Sequence, residues 1–179
     1  YKINKDLKAQ EVVKKISLKY YDRLNYYSSL EIFNQYNVGE EIISDIERYR
    51  NLIETMLVFD ESEMTVEEIK RFISSSEKFN FIYGEFDYYM SVSDFIVSLV
   101  KSNELEYSKQ IIDKIEDLLI RRVSVFSNLD EDEQIFYIEG ITSDINNYSK
   151  IINSIEFFNS ELYESYKKNL DELLKNIVE

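Results

Sequence analysis

The chain has 179 residues, 44% of them hydrophobic, and a net charge of −14; it is long enough for an ordinary core, is not disordered by composition, and repels nucleic-acid phosphates over most of its surface. It contains no Cys and no His, which excludes disulfides, thiol and Ser-His-Asp nucleophiles, Cys/His zinc sites and a Glu-x-x-His di-iron bundle. Glycine occurs only at Gly39, Gly84 and Gly140, too few for a phosphate-cradling loop, and no uncharged apolar run reaches the ~18 residues of a membrane span.

What remains is carboxylate, lysine or acid-held Mg²⁺ chemistry, so neither an enzyme nor a cofactor is expected. The lack of Cys suits a reducing compartment. The first residue is not Met and no signal-peptide pattern follows it, so the start reads as an artificial or trimmed boundary. Residues 1–30 carry seven Lys/Arg against three Asp/Glu, including Lys14, Lys15, Lys19 and Arg23. That basic start is expected to be a solvated face paired with the acidic body; the other reading is contact with a nucleic acid or an acidic partner.

Pro is absent, so helix can run nearly unbroken. The 3.6-residue spacing of apolar positions predicts a first helix over about Lys5–Gln35, with a stripe of Val13, Ile16, Tyr20, Leu24, Tyr27, Leu30 and Phe33 and a possible break at Ser28-Ser29. Val38-Gly39 punctuates, and a second helix follows over about Glu40–Phe59 on Ile42, Ile46, Tyr49, Ile53 and Leu57. After an Asp60–Glu63 loop, Thr65 with Glu68 has the spacing of a capping box for a third helix carrying Val66, Ile69, Phe72 and Ile73. A fourth is expected from the aromatic segment Phe79–Tyr89 to Lys101, and a fifth over Glu104–Phe126 on Ile111, Ile112, Ile115, Leu118, Leu119 and Val123. Acids at Asp130–Glu133 open a helix to about Ile145, followed by Tyr148–Phe158 and a last helix capped by Ser160. The whole predicts an all-α fold of about eight helices whose short joints make neighbours antiparallel, as stacked hairpins or as a bundle. A stack of hairpins would curve and offer a concave groove.

Few groups carry candidate chemistry. The Asp130–Glu133 cluster lacks the alternating ligands, glycine and distal Glu of a calcium loop, so helix capping is its expected role; Glu40-Glu41 is read the same way. The aromatic run Phe79, Phe81, Tyr83, Phe86, Tyr88 and Tyr89 is expected in the core, with a ligand wall as the alternative. Arg122 lies near the apolar line of its helix and needs a carboxylate, either from this chain or from the C-terminus of a bound peptide. Arg121 has Asp117 four residues earlier as a partner. Asn153, among Ile151, Ile152 and Ile155, offers an amide to a peptide backbone or to a neighbouring helix end. The candidate peptide-binding set is therefore Arg121, Arg122, Asn153 and Tyr89.

Three segments together resemble the C-terminal regulatory half of Rgg-type transcriptional regulators, the peptide-sensing helical-repeat family of Gram-positive bacteria. The first is Thr65-Val66-Glu67-Glu68-Ile69 leading into Phe81-Ile82-Tyr83-Gly84-Glu85-Phe86-Asp87-Tyr88-Tyr89; Phe81, Gly84 and Ser91 stand where the family has Trp, Tyr and Asn. The second is the turn around Ser102-Asn103 between Leu99 and Ser108, and the third is Phe136–Gly140 with Ile151–Phe158 and Tyr166-Lys167-Lys168. The resemblance runs from about Met64 onward. It implies a single regulatory domain over 1–179, with first helices in 1–59 and the better-matching repeats in 60–179, stacked as tetratricopeptide-like hairpins in a curved right-handed array. It further implies a cytoplasmic homodimer that binds a short hydrophobic peptide pheromone in a concave groove. Such a protein would reach DNA only through an N-terminal domain that would precede Tyr1. The net charge supports a second reading, a stand-alone acidic interaction protein such as an inhibitor or immunity protein covering a basic partner.

Overall fold

The computed structural model describes residues 7–30, 39–59 and 63–178, and among these there are eight α-helices and no strand. They are α1 (Leu7–Ser29), α2 (Glu40–Phe59), α3 (Glu63–Ser76), α4 (Glu85–Ser91), α5 (Ser93–Lys101), α6 (Leu105–Ser127), α7 (Glu131–Ile155) and α8 (Ser160–Val178), with a 3-10 helix over Glu77–Ile82. The all-α expectation therefore holds. The chain divides into two compact units, 1–83 and 84–179.

In the first unit α1 and α2 run antiparallel: Tyr20 stacks on Tyr49, Arg23 pairs with Asp45 at 2.9 Å and Tyr27 donates to Glu41, so contacts recede along one helix as they advance along the other. Arg23 thus follows the pairing expected of the basic start. Helix α1 ends at Ser29, where the Ser28-Ser29 break was expected; Phe33 and Val38 lie outside the described residues. The α1 stripe is narrower than its periodicity predicts, with Leu24 and Ser17 buried but Ile16 and Leu30 exposed. Helix α2 buries Ile42, Ile46, Tyr49 and Ile53 as its spacing requires, but its last buried position is Met56 rather than the expected Leu57, which is only half-buried.

Helix α3 starts at Glu63, two residues before the expected cap, so Thr65 and Glu68 are inside it and buried. The predicted capping box does not form because the Glu68 carboxylate is claimed elsewhere, by Arg71 Nη1 at 2.6 Å and the Tyr49 hydroxyl at 2.8 Å. At its C-terminus Ser75 and Ser76 both donate to the Phe72 carbonyl. Such back-bonding competes with the helical ladder, and the chain passes into the 3-10 turn.

In the second unit the expected single helix over 79–101 is interrupted twice. Gly84 has φ +84° and ψ 137°, a conformation open essentially to glycine alone, and Val92 leaves the helical region between α4 and α5. Helix α5 ends in a Schellman motif: Asn103 has φ +64°, Glu104 N–H donates to the Leu99 carbonyl and Asn103 N–H to that of Val100. Helix α7 begins with a complete capping box between Asp130 and Glu133, the capping role expected of that acidic cluster. It runs through 145–148 without the predicted break. Asn146 and Asn147 are weak helix formers, but tertiary packing overrides them, since continuity lets Tyr148 enter the core beside Ile151, Ile152 and Ile155. The cap of α8 is Asn159, whose Oδ1 accepts from Leu162 N–H at 2.9 Å; Ser160 is already helical.

Helices α6 and α7 are antiparallel, with Phe126 beside Gln134 and Glu116 beside Tyr148. Helix α8 runs parallel to α6, since Asp113 meets Tyr166 and Glu116 meets Asn169. Two carboxylates of α6 thereby hold the other two helices in register. The second-unit core includes Phe86, Tyr88, Tyr89, Phe95, Ile96, Leu99, Ile112, Ile115, Leu119, Tyr148, Ile152 and Ile155, all nearly or fully excluded from solvent.

Candidate interface cleft between α6 and α7

The last two turns of α6 and the first four of α7 line a cleft of about 540 Å³, a volume in the range of ordinary ligand sites. Its apolar lining is Val125, Phe126, Leu129, Tyr137 and Ile141; Arg121, Arg122, Glu133 and Asp144 supply the charges, and Gly140 completes it. The local sequence explains how it is held. Leu129 and Asp130 turn the chain, the Asp130–Glu133 capping box starts α7 at once, and Gln134 Nε2 donates to the Phe126 and Leu129 carbonyls. The end of α6, whose Val125 and Phe126 carbonyls also accept from Asn128 and Leu129 N–H, is thereby tied to the start of α7.

The two arginines have different fates. The Arg122 guanidinium pairs with the Asp144 carboxylate and lies 5.1 Å from the centroid of the Phe86 ring, so the carboxylate it needs comes from this chain. Burial holds the Asp144 carboxyl above its usual range, and Arg122 pulls it back part of the way. Arg121 is exposed and, among the described residues, has no ion-pair partner; the expected Asp117–Arg121 pair does not form. Its five N–H donors face solvent at the cleft.

Tyr89 and Asn153 are not in this cleft. Tyr89 is buried and packs edge-on against Tyr88 with centroids 5.2 Å apart, the core role of the aromatic run. Asn153 is exposed near the other end of α7, its amide 3.4 Å from Ser149 Oγ. The spacing between Gly140 and Asn153 corresponds to about 20 Å along the helix. Of the four candidate residues the fold brings together only Arg121 and Arg122.

Sequence reasoning missed Val125, Tyr137 and Gly140 as lining. The available signal was Gly140 itself, in a helix interior where glycine costs about 1 kcal/mol relative to alanine. A Cβ there would meet no atom within 4 Å, so packing does not demand the glycine. Among the described residues no group of three or more acids is placed to hold a metal ion, and no helix is long and apolar enough to cross a membrane.

No family model matches the chain, and no curated protein or solved structure is similar to it at a significant level. The resemblance to Rgg-type regulators rests on the segments quoted above.

Proposed function

We propose that this chain is a binding domain whose α6–α7 cleft takes a short apolar peptide, with Arg121 pairing with the peptide's C-terminal carboxylate. The observation that carries the reading is the combination of a bare helix surface at Gly140, apolar walls from Val125, Phe126, Leu129 and Tyr137, and one uncommitted guanidinium beside them. A peptide main chain can approach a helix closely only where no Cβ intervenes, and a planar guanidinium suits a carboxylate in two-pronged pairing. Arg122 is a positioning residue here, holding Asp144 and Phe86 behind the wall.

The same reading carries the remaining implications of the Rgg resemblance: tetratricopeptide-like hairpin stacking, a cytoplasmic homodimer, and peptide occupancy relayed to a DNA-binding domain outside this chain. What supports them is the quoted sequence segments alone.

Titration calorimetry with short apolar peptides, each with a free and an amidated C-terminus, tests the cleft. Binding is expected for the free-acid forms and about tenfold weaker for the amides and for Arg121→Gln. Gly140→Ala separates function from folding: the melting temperature should rise, in keeping with a gain of about 0.5–1 kcal/mol, while peptide affinity falls. Peptides that bind none of these proteins, or bind all of them alike, would exclude the reading.

A further inference from the structure

Beyond the cleft, we infer that the outer surface of the first half of α7 docks a cationic amphipathic helix of a partner protein. Ile135, Phe136 and Ile138 are 69%, 82% and 42% exposed, and none of them lines the cleft. On the helix circumference Ile135 lies between Phe136 and Ile138, about 100° from the one and 60° from the other, so the three share one half of the helix as an exposed apolar band, the kind of surface that marks a contact site. Their setting specifies the contact. On a helix Asp132, Glu133 and Glu139 are the i−4, i−3 and i+3 neighbours of Phe136, and between Arg122 and Lys150 the sequence holds six acids and no Lys or Arg.

An apolar anchor framed by carboxylates complements a helix that presents Leu- or Phe-type residues along one stripe with Lys or Arg on its flanks. A second copy of this chain is the wrong occupant. It would bring Asp132, Glu133 and Glu139 against their own likenesses, on bodies that each carry −14, and like charges across an interface select against it. An acidic or uncharged partner leaves the framing carboxylates desolvated without cations, which is costly.

The test uses the whole chain and a synthetic Leu/Lys amphipathic helical peptide. Its controls are a Leu/Glu peptide of the same pattern and a Lys peptide with the leucines dispersed so that no apolar stripe forms. Calorimetry should detect binding of the Leu/Lys peptide only, weakening as salt is raised. Phe136→Ser should reduce affinity by about tenfold or more. Phe157→Ser, which removes another exposed ring (91%) in the turn beyond the C-terminus of α7, should leave it within about twofold. Both side chains are exposed, so circular dichroism should show either variant folded. Amide shifts in NMR should centre on 135, 136, 138 and 139 and spare 121–126, 140 and 141, which distinguishes this surface from the peptide cleft. Equal behaviour of the two variants, equal binding of the stripeless Lys peptide, no binding, or self-association abolished by Phe136→Ser would each overturn the proposal.

Discussion

Tyr49 joins the three helices of the first unit. It stacks on Tyr20, meets Phe72 edge-on and donates to Glu68, whose carboxylate is also fully buried. Burial and the nearby Glu68 charge push the Tyr49 phenol far above its ordinary range, so it stays protonated and remains a donor. Tyr49→Phe keeps the ring and deletes the bond. It should cost about 1.5–3 kcal/mol, the range for a hydrogen bond to a charged group, read as a lower midpoint in urea with an unchanged slope. A midpoint equal to wild type would mean that Arg71 alone satisfies Glu68. None of this was visible in the sequence, where Glu68 matched a capping box. A carboxylate three residues after Thr has that local option, and the tertiary approach of α2 outcompetes it.

At the scale of elements, the positions of the helices were legible and their breaks less so. The long amphipathic periods of α2 and α6 define those helices almost to the residue, because nothing within them competes. The interval 79–101 misled because aromatic and aliphatic residues continue through it without Pro. Its single Gly84 could have been a tolerated helix glycine, and in the fold it breaks the chain between the 3-10 helix and α4 with φ +84°. Gly84→Ala should therefore destabilise the protein by about 1–3 kcal/mol, the cost of holding an L-residue in that region. Sterics contribute little, since the nearest atom to the new Cβ is Asp87 Oδ2 at 3.5 Å. Thermal melts of Gly84→Ala and Gly140→Ala should move in opposite directions, and a shift of both in the same direction would refute this assignment of the two glycines.

For the whole molecule the dominant quantity is charge. Burial raises the carboxyls of Asp45, Glu116 and Asp144 above their ordinary values. A carboxyl whose folded pKa lies above its unfolded one takes up a proton first in the folded state. Its contribution therefore improves as pH falls through the folded pKa, and stops changing below the unfolded value near about 4. Neutralising other acids on a −14 chain acts in the same direction by relieving self-repulsion. The melting temperature is thus expected to rise between pH 7 and about pH 5, less steeply in Glu116→Gln, whose side chain no longer titrates. A melting temperature that falls over that interval would contradict this account.

The sequence alone determined the chemistry available and the helical character of the chain. Absent residue types cannot be restored by folding, and 3.6-residue periodicity is a local property. It also contained both cations of the cleft. Only the tertiary structure decided what those cations do, because pairing is set by which helix lies opposite. Arg122 found Asp144 on α7 and Arg121 found no ion-pair partner among the described residues, while Tyr89 turned into the core and Asn153 stayed in solvent. Neighbouring positions on one helix diverge by about 100°, so adjacent residues of one kind meet different surroundings once other helices pack against them.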